Sequence, residues 1–190
     1  QKFLTDSDPY LVREAALAIN DRPVNDAMPA LAALIDNHAV LNASLAAWNK
    51  AVAASATVEA ERLRLEVEPM LYRTINANFR VGGRANAAAL ARFAARSDAP
   101  AKFRAEAITQ LGLWANPPAR DRILGIQRPV AQNRSGTASD PGIRDGSAAR
   151  DALASILPSL LNADAPAVVQ SAAIGAVEKL EIAAAADTLF

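Results

Sequence analysis

The chain has 190 residues, no cysteine and a formal net charge of zero from 20 basic and 20 acidic side chains. Within this chain those counts exclude disulfides, Cys-ligated zinc, iron–sulfur clusters, a thiol nucleophile and covalent c-type haem attachment. They also argue against non-specific nucleic-acid binding, which needs a large cationic footprint. Alanine dominates and only 5% of residues are aromatic, so helix propensity and close helix approach predict an all-α fold.

In chain order, the apolar pattern predicts a run of short amphipathic helices. The first lies at about 8–20, where Pro9 opens "PYLVREAALAI" and Asp8 stands where a cap is needed. Val12, Ala15, Ala16 and Ile19 recur there at helical spacing. A helix of a second type follows at 26–37, "DAMPALAALIDN". Residues 38–66 read as an insertion holding an extra helix or pair. In it, Glu59 faces Arg62 and Glu61 faces Arg64 at i,i+3, a solvated helical face. Pro69 is expected to open a helix at 68–80, followed by one at 84–97 and one at 99–114 opened by Pro100. Residues 115–147 are richer in Pro, Gly, Ser, Asn and Arg and predict a long loop, most exposed at "NRSGTASDPG". Helices at 148–162 and 165–179 follow, the second opened by Pro166, and 180–190 begins another. No stretch approaches the length of an apolar membrane span. The chain starts at Gln1 without Met and stops inside an apolar pattern, so it reads as one domain, 1–190, cut from a longer protein.

The phrase "DAPAKFRAEAI" (98–108) returns as "DAPAVVQSAAI" (164–174). Aligned on the prolines, the fourth residue onward is long and polar: Arg13, Arg73, Arg104 and Gln170. The third is apolar or aromatic: Val12, Tyr72, Phe103 and Val169. Such helical pairs cannot bury their faces alone and must stack. The pattern resembles the HEAT repeat, an armadillo-like motif whose second helix carries Asp, five residues, then Arg. Asp98 and Arg104 match it, Asp164 and Gln170 keep the spacing with a neutral partner, and Val12-Arg13 is flanked by misplaced acids at Asp6 and Asp8. The resemblance implies a right-handed α-α superhelix of helical hairpins, an Asp–Arg ladder between repeats, and a concave face. Lys102, Glu106 and Gln110 would be exposed contact residues there.

Three phrases go further: "DPYLVREAALAIND" (8–21), "YRTINANFRVGG" (72–83) and "LGLWANPPARDRILGIQRPV" (111–130). Together they resemble the helical-repeat part of large exported haem-binding proteins of planctomycetes and verrucomicrobia, described as membrane-bound dehydrogenases. In that family a sugar-dehydrogenase-like β-propeller precedes the array, and a cytochrome c domain with a CxxCH motif follows it. This chain holds neither, so the resemblance implies a connecting module, periplasmic or extracellular, with any oxidoreductase chemistry elsewhere in the parent.

Candidate chemistry is sparse. Gly82-Gly83 before Arg84 admits a phosphate-loop reading, but without a GxGxxG or Walker pattern a glycine helix cap is the better one. Arg120, Arg122 and Arg128 lie close to Trp114 and form a candidate basic patch for an anion, a sugar acid or an acidic partner. The competing reading has Arg120 and Arg128 bonding carbonyls of the irregular loop. Asn76, Asn78 and Arg80 either line an inner surface or satisfy helix ends. His38 is the only histidine, so neither a metal site nor a Ser-His-Asp site is expected. Trp48, Phe79, Phe93 and Phe103 sit at core spacing. The sequence thus predicts a non-catalytic, cofactor-free scaffold that contacts neighbouring domains or another protein, without nucleic-acid binding or membrane insertion. The alternative is an Arg-lined surface that helps an adjacent domain bind substrate.

Overall fold

The structure, a computed structural model, describes residues 2–130 and 144–182. The loop phrase at 133–142 and most of the helix expected at 180–190 lie outside these residues. After a 3-10 turn at Lys2–Thr5 comes α1 (Pro9–Asp21), where Pro9 fills the first turn and Asp8 accepts the Tyr10 amide at 2.9 Å. The 26–37 pattern is broken into a 3-10 turn, α2 (Met28–Ala32) and α3 (Leu34–Asn37). The insertion supplies α4 (Ala39–Ala53).

Pro69 does not open a helix. It lies inside α5 (Thr57–Val81), which absorbs the end of the predicted insertion and the predicted helix at 68–80. An interior proline removes one backbone bond and costs about 3 kcal/mol. Tertiary packing offsets this: Leu63, Val67, Met70 and Leu71 are buried around it. On the solvent side, Arg62 bonds Glu59 and Glu66, and Arg64 bonds Glu61 and Glu68. Then come α6 (Arg84–Ala95), α7 (Ala101–Gly112), α8 (Ser147–Ala154), α9 (Leu157–Leu160) and α10 (Ala167–Leu180). Pro100 and Pro166 stand at the N-caps of α7 and α10, one place before the expected first turn. The chain is all-α: among the described residues there is no strand, only an isolated bridge between Arg120 and Gln127.

The helices pack in sequence order. α1 packs on α5, α5 on α7, and α7 on α10; in a second row α3 packs on α6 and α6 on α8. Cross-contacts join α2 to α5, α6 to α7, and α8 and α9 to α10, while α4 covers part of α5. One continuous apolar core runs from Leu4 to Ile182. Trp48, Phe79, Phe93 and Phe103 all lie in it, and Phe103 meets the edges of Trp48 and Tyr72 at 6.3 and 4.8 Å between ring centres.

The expected Asp–Arg ladder between repeats does not form through Asp98 and Arg104. Asp98 pairs with Arg96, and Arg104 turns inward to donate to the Ala94 carbonyl at 2.8 Å. Gln170 does the same to the Asn162 carbonyl at 2.8 Å. The repeated polar position therefore closes the end of the preceding helix, a role that needs a donor but no charge. Arg73 does bridge two helices, gripping Asp21 of α1 at 2.8 and 3.1 Å.

Small residues set the spacing of α7 and α10. A Cβ on Gly112 would lie 2.9 Å from the Cα of Ala176, whereas one on Gly175 would meet nothing within 4 Å. Chemical denaturation should therefore separate two identical substitutions. Gly112→Ala should destabilise by about 1–3 kcal/mol through overpacking, and Gly175→Ala should stabilise by about 0.5–1 kcal/mol through helix propensity.

Candidate functional site

The loop after α7 folds back on itself around one acid. Gly125, at φ +68, allows the turn, and the Asp121 and Arg128 amides bond the Ile126 and Ala119 carbonyls. Oδ1 of Asp121 accepts the amides of Ile123 and Leu124 at 2.9 and 3.0 Å. Oδ2 accepts from Asn76 at 3.1 Å, Arg128 at 3.2 Å and Arg80 at 3.4 Å. The carboxylate is fully buried. Burial alone would raise its pKa. The Leu124 and Ile123 amides, the Asn76 side chain and the Arg128 charge outweigh that and hold it below the usual carboxylate value.

The same cluster reaches α1. Asn76 also donates to the Asn20 side chain at 2.9 Å, and Arg128 donates to the Asn20 carbonyl at 2.6 Å. Arg80 donates to the Arg128 and Pro129 carbonyls, and Asn78 to the Ala32 carbonyl. Arg120 donates to Gly125 at 2.9 Å. The loop-pinning reading of Arg120 and Arg128 and the backbone-satisfying reading of Arg80 and Asn78 are the geometry found. Gly82 and Gly83, at φ +73 and +92, form the expected glycine corner between α5 and α6.

The remaining candidates divide. Trp114 is buried and does not join an exposed basic patch with Arg120 and Arg122. Its face carries the guanidinium of Arg144, centred 4.1 Å from the ring, with Phe79 at 5.4 Å. Arg144 is missed by sequence reasoning because nothing local marks an arginine that returns from a loop to plug a core. Gln110 is fully buried, so it is not a contact residue; it donates to Glu106, and its Oε1 has no partner among the described residues. Glu106 is held by Arg122 at 2.8 and 2.9 Å, which ties the loop to α7. Lys102 is exposed and pairs with Glu68, and Arg84 is exposed and pairs with Asp151 at 2.9 Å.

Two clefts flank these elements. One of about 400 Å³ is lined by Asn25, Met28, Pro29, Arg80 and Val81. The other, about 640 Å³, is lined by Leu4, Ala30, Leu34, Asp36 and His38 among others. Among the described residues no group of three or more His, Asp or Glu side chains is placed to hold a metal. A carboxylate that accepts this many donors is a poor proton acceptor near neutrality, so the Asp121 centre is built to hold elements together. No protein-family model, curated protein or solved structure matches the chain.

Asp121 should dominate the acid limb of stability. Its folded pKa lies below the ordinary 3.8, so its contribution is complete above that value and is lost as pH falls through the folded value. Asp121→Asn should cost about 3–5 kcal/mol at neutral pH, because it strands two half-buried or buried arginines. It should also flatten the fall in stability below about pH 5. Urea denaturation of both proteins across that range checks both effects.

Proposed function

We propose that the chain is a HEAT-like α-α superhelix that serves as a non-catalytic scaffold or protein-interaction module within a larger exported protein of the haem-binding dehydrogenase type. The observation that carries this reading is the packing order. Each helix of a row rests on the next of its row, and pairs cross between rows, as stacked repeats require. The surface they present is held rigid by arginines turned inward to carbonyls.

The more specific part rests on a convergence. The three phrases that resemble the haem-binding family fall on α1, on the end of α5 with its glycine corner, and on the end of α7 with its loop. All three meet at Asp121: Asn20 from the first, Asn76 and Arg80 from the second, Arg128 from the third. The alternative, a substrate-binding surface for a neighbouring domain, is left with Arg120 and Arg122, since Trp114 and Arg128 are buried.

Arg120 separates the two readings because it is exposed and, among the described residues, its side chain bonds the Gly125 carbonyl of its own loop. In the full parent polypeptide, Arg120→Ala should leave oxidoreductase activity within twofold of wild type (roughly 0.4 kcal/mol). A large loss with unchanged folding would establish the substrate role instead. An antibody to this segment, used on cell fractions, should reveal a large, exported, haem-staining polypeptide. A small haem-free band would end the family assignment and leave a free-standing adaptor.

A further inference from the structure

The start of α5 runs back along α4 as a hairpin, tied by the Ser44 hydroxyl donating to Glu66 at 3.2 Å. Its tip is bare: every residue from Val52 to Glu59 is exposed. Beyond the tip, Leu63 and Val67 of α5 turn inward. The opposite face carries Val58, Glu61, Arg62 and Leu65, at i, i+3, i+4 and i+7. Val58 is 86% exposed and Leu65 55%. One exposed apolar residue calls for no explanation. Two, one above the other on a helix and set between charges, form the stripe that a second helix covers in a coiled coil.

The order of charges along this stretch says what fits it. Residues 58–65 read "VEAERLRL". Counted outward from the point between Glu61 and Arg62, each acid has a base opposite it: Glu61 with Arg62, and Glu59 with Arg64. Val58 falls opposite Leu65 in the same way. The acidic half and the basic half cancel in total charge. Within one chain these residues pair along the two flanks of the stripe, Glu59 with Arg62 and Glu61 with Arg64. All four side chains remain more than a third exposed. Ion pairs this open to water contribute little and take new partners readily.

A two-fold interface presents the same patch from both copies, so the patch must complement itself. Two such helices laid antiparallel about the 61–62 midpoint meet that condition. The acidic half of each lies beside the basic half of the other, and each valine is level with a leucine. Laid parallel and in register, the same helices set acid level with acid and base level with base, which is repulsive. The stretch thus favours one orientation of one occupant.

We propose that this face of α5 pairs with the same face of a second copy of the chain, the two helices antiparallel about the point between Glu61 and Arg62. Val58 of each copy packs on the second copy's Leu65. Glu59 and Glu61 then share arginines across the seam as well as within their own helix. Two turns of helix from each side bury on the order of 600–800 Å² in total, at the low end of specific contacts, so the pairing is weak, with a Kd of about 0.1–1 mM. It goes beyond the scaffold reading and does not rest on it, because it uses only the inserted hairpin.

The chain has no cysteine, so introduced thiols report the pairing without background. Val58→Cys and Leu65→Cys are both at exposed sites and leave the core intact. Oxidised together, the two variants should form the mixed 58–65 disulfide dimer at least about fivefold faster than either forms its own dimer alone. About 1 M salt should shrink that advantage. Sedimentation equilibrium should show the wild-type chain partly dimeric at about 1 mM. A Glu59→Lys, Glu61→Lys chain and an Arg62→Glu, Arg64→Glu chain should each stay monomeric there, and their equimolar mixture should associate again. Equal oxidation rates in mixed and single samples, or a preference for 58–58 linkage, would overturn the proposal. So would a wild-type chain that remains a monomer at that concentration, which would leave the face to a different protein. If a charge-reversed chain does not fold, the cysteine rates decide alone.

Discussion

One buried carboxylate organises the centre of this protein. Asp121 folds its own loop by accepting two amides, and with its second oxygen it accepts from α5 twice and from the far end of the loop once. Through Asn76 and Arg128 the same centre reaches the end of α1. A single charge therefore fixes the loop, α1 and α5 relative to one another. An acid in this position is costly to bury and worthwhile only if every acceptor site is filled, and both of its oxygens are.

Around that centre, the chain uses small residues to bring helices close and long polar residues to close helix ends. Alanine and glycine at α7 and α10 let the two backbones approach until a single added methyl would collide. Arg104 and Gln170 occupy equivalent places in the repeated phrase and perform the same task on the preceding helix, one charged and one neutral. The task is hydrogen bonding to an orphan carbonyl, so the repeat tolerates loss of the charge. The Asp of the phrase is freed from the ladder and pairs locally with Arg96.

The arginines explain why this surface resists a simple functional reading. In the sequence Arg120, Arg122 and Arg128 cluster as a patch; in the fold the arginines scatter by depth. Arg128 and Arg144 go inward, Arg80 lies half-way, and Arg84, Arg120 and Arg122 remain outside. Guanidinium suits all three depths because it can bond carbonyls, stack on rings and pair with acids without losing its charge. Stacking of Arg144 on Trp114 converts an expected binding aromatic into part of the core.

The sequence by itself determined the helical class, the positions of α1, α6, α7 and α10, the repeated phrase, the aromatic core and the glycine corner. These depend on propensity, periodicity and φ preference, which act within a few residues. It misplaced the start of α5, because an interior proline is tolerated only where distant packing offsets its lost bond, and the burial of Leu63, Val67, Met70 and Leu71 comes from other helices. It offered Gln110 and Trp114 to solvent, because helical spacing alone does not say which neighbour covers a face. It passed over Asp121 as a centre and Arg144 altogether. Their partners Asn76, Arg80 and Phe79 lie far away along the chain, and only tertiary structure brings long-range charges to the same buried point.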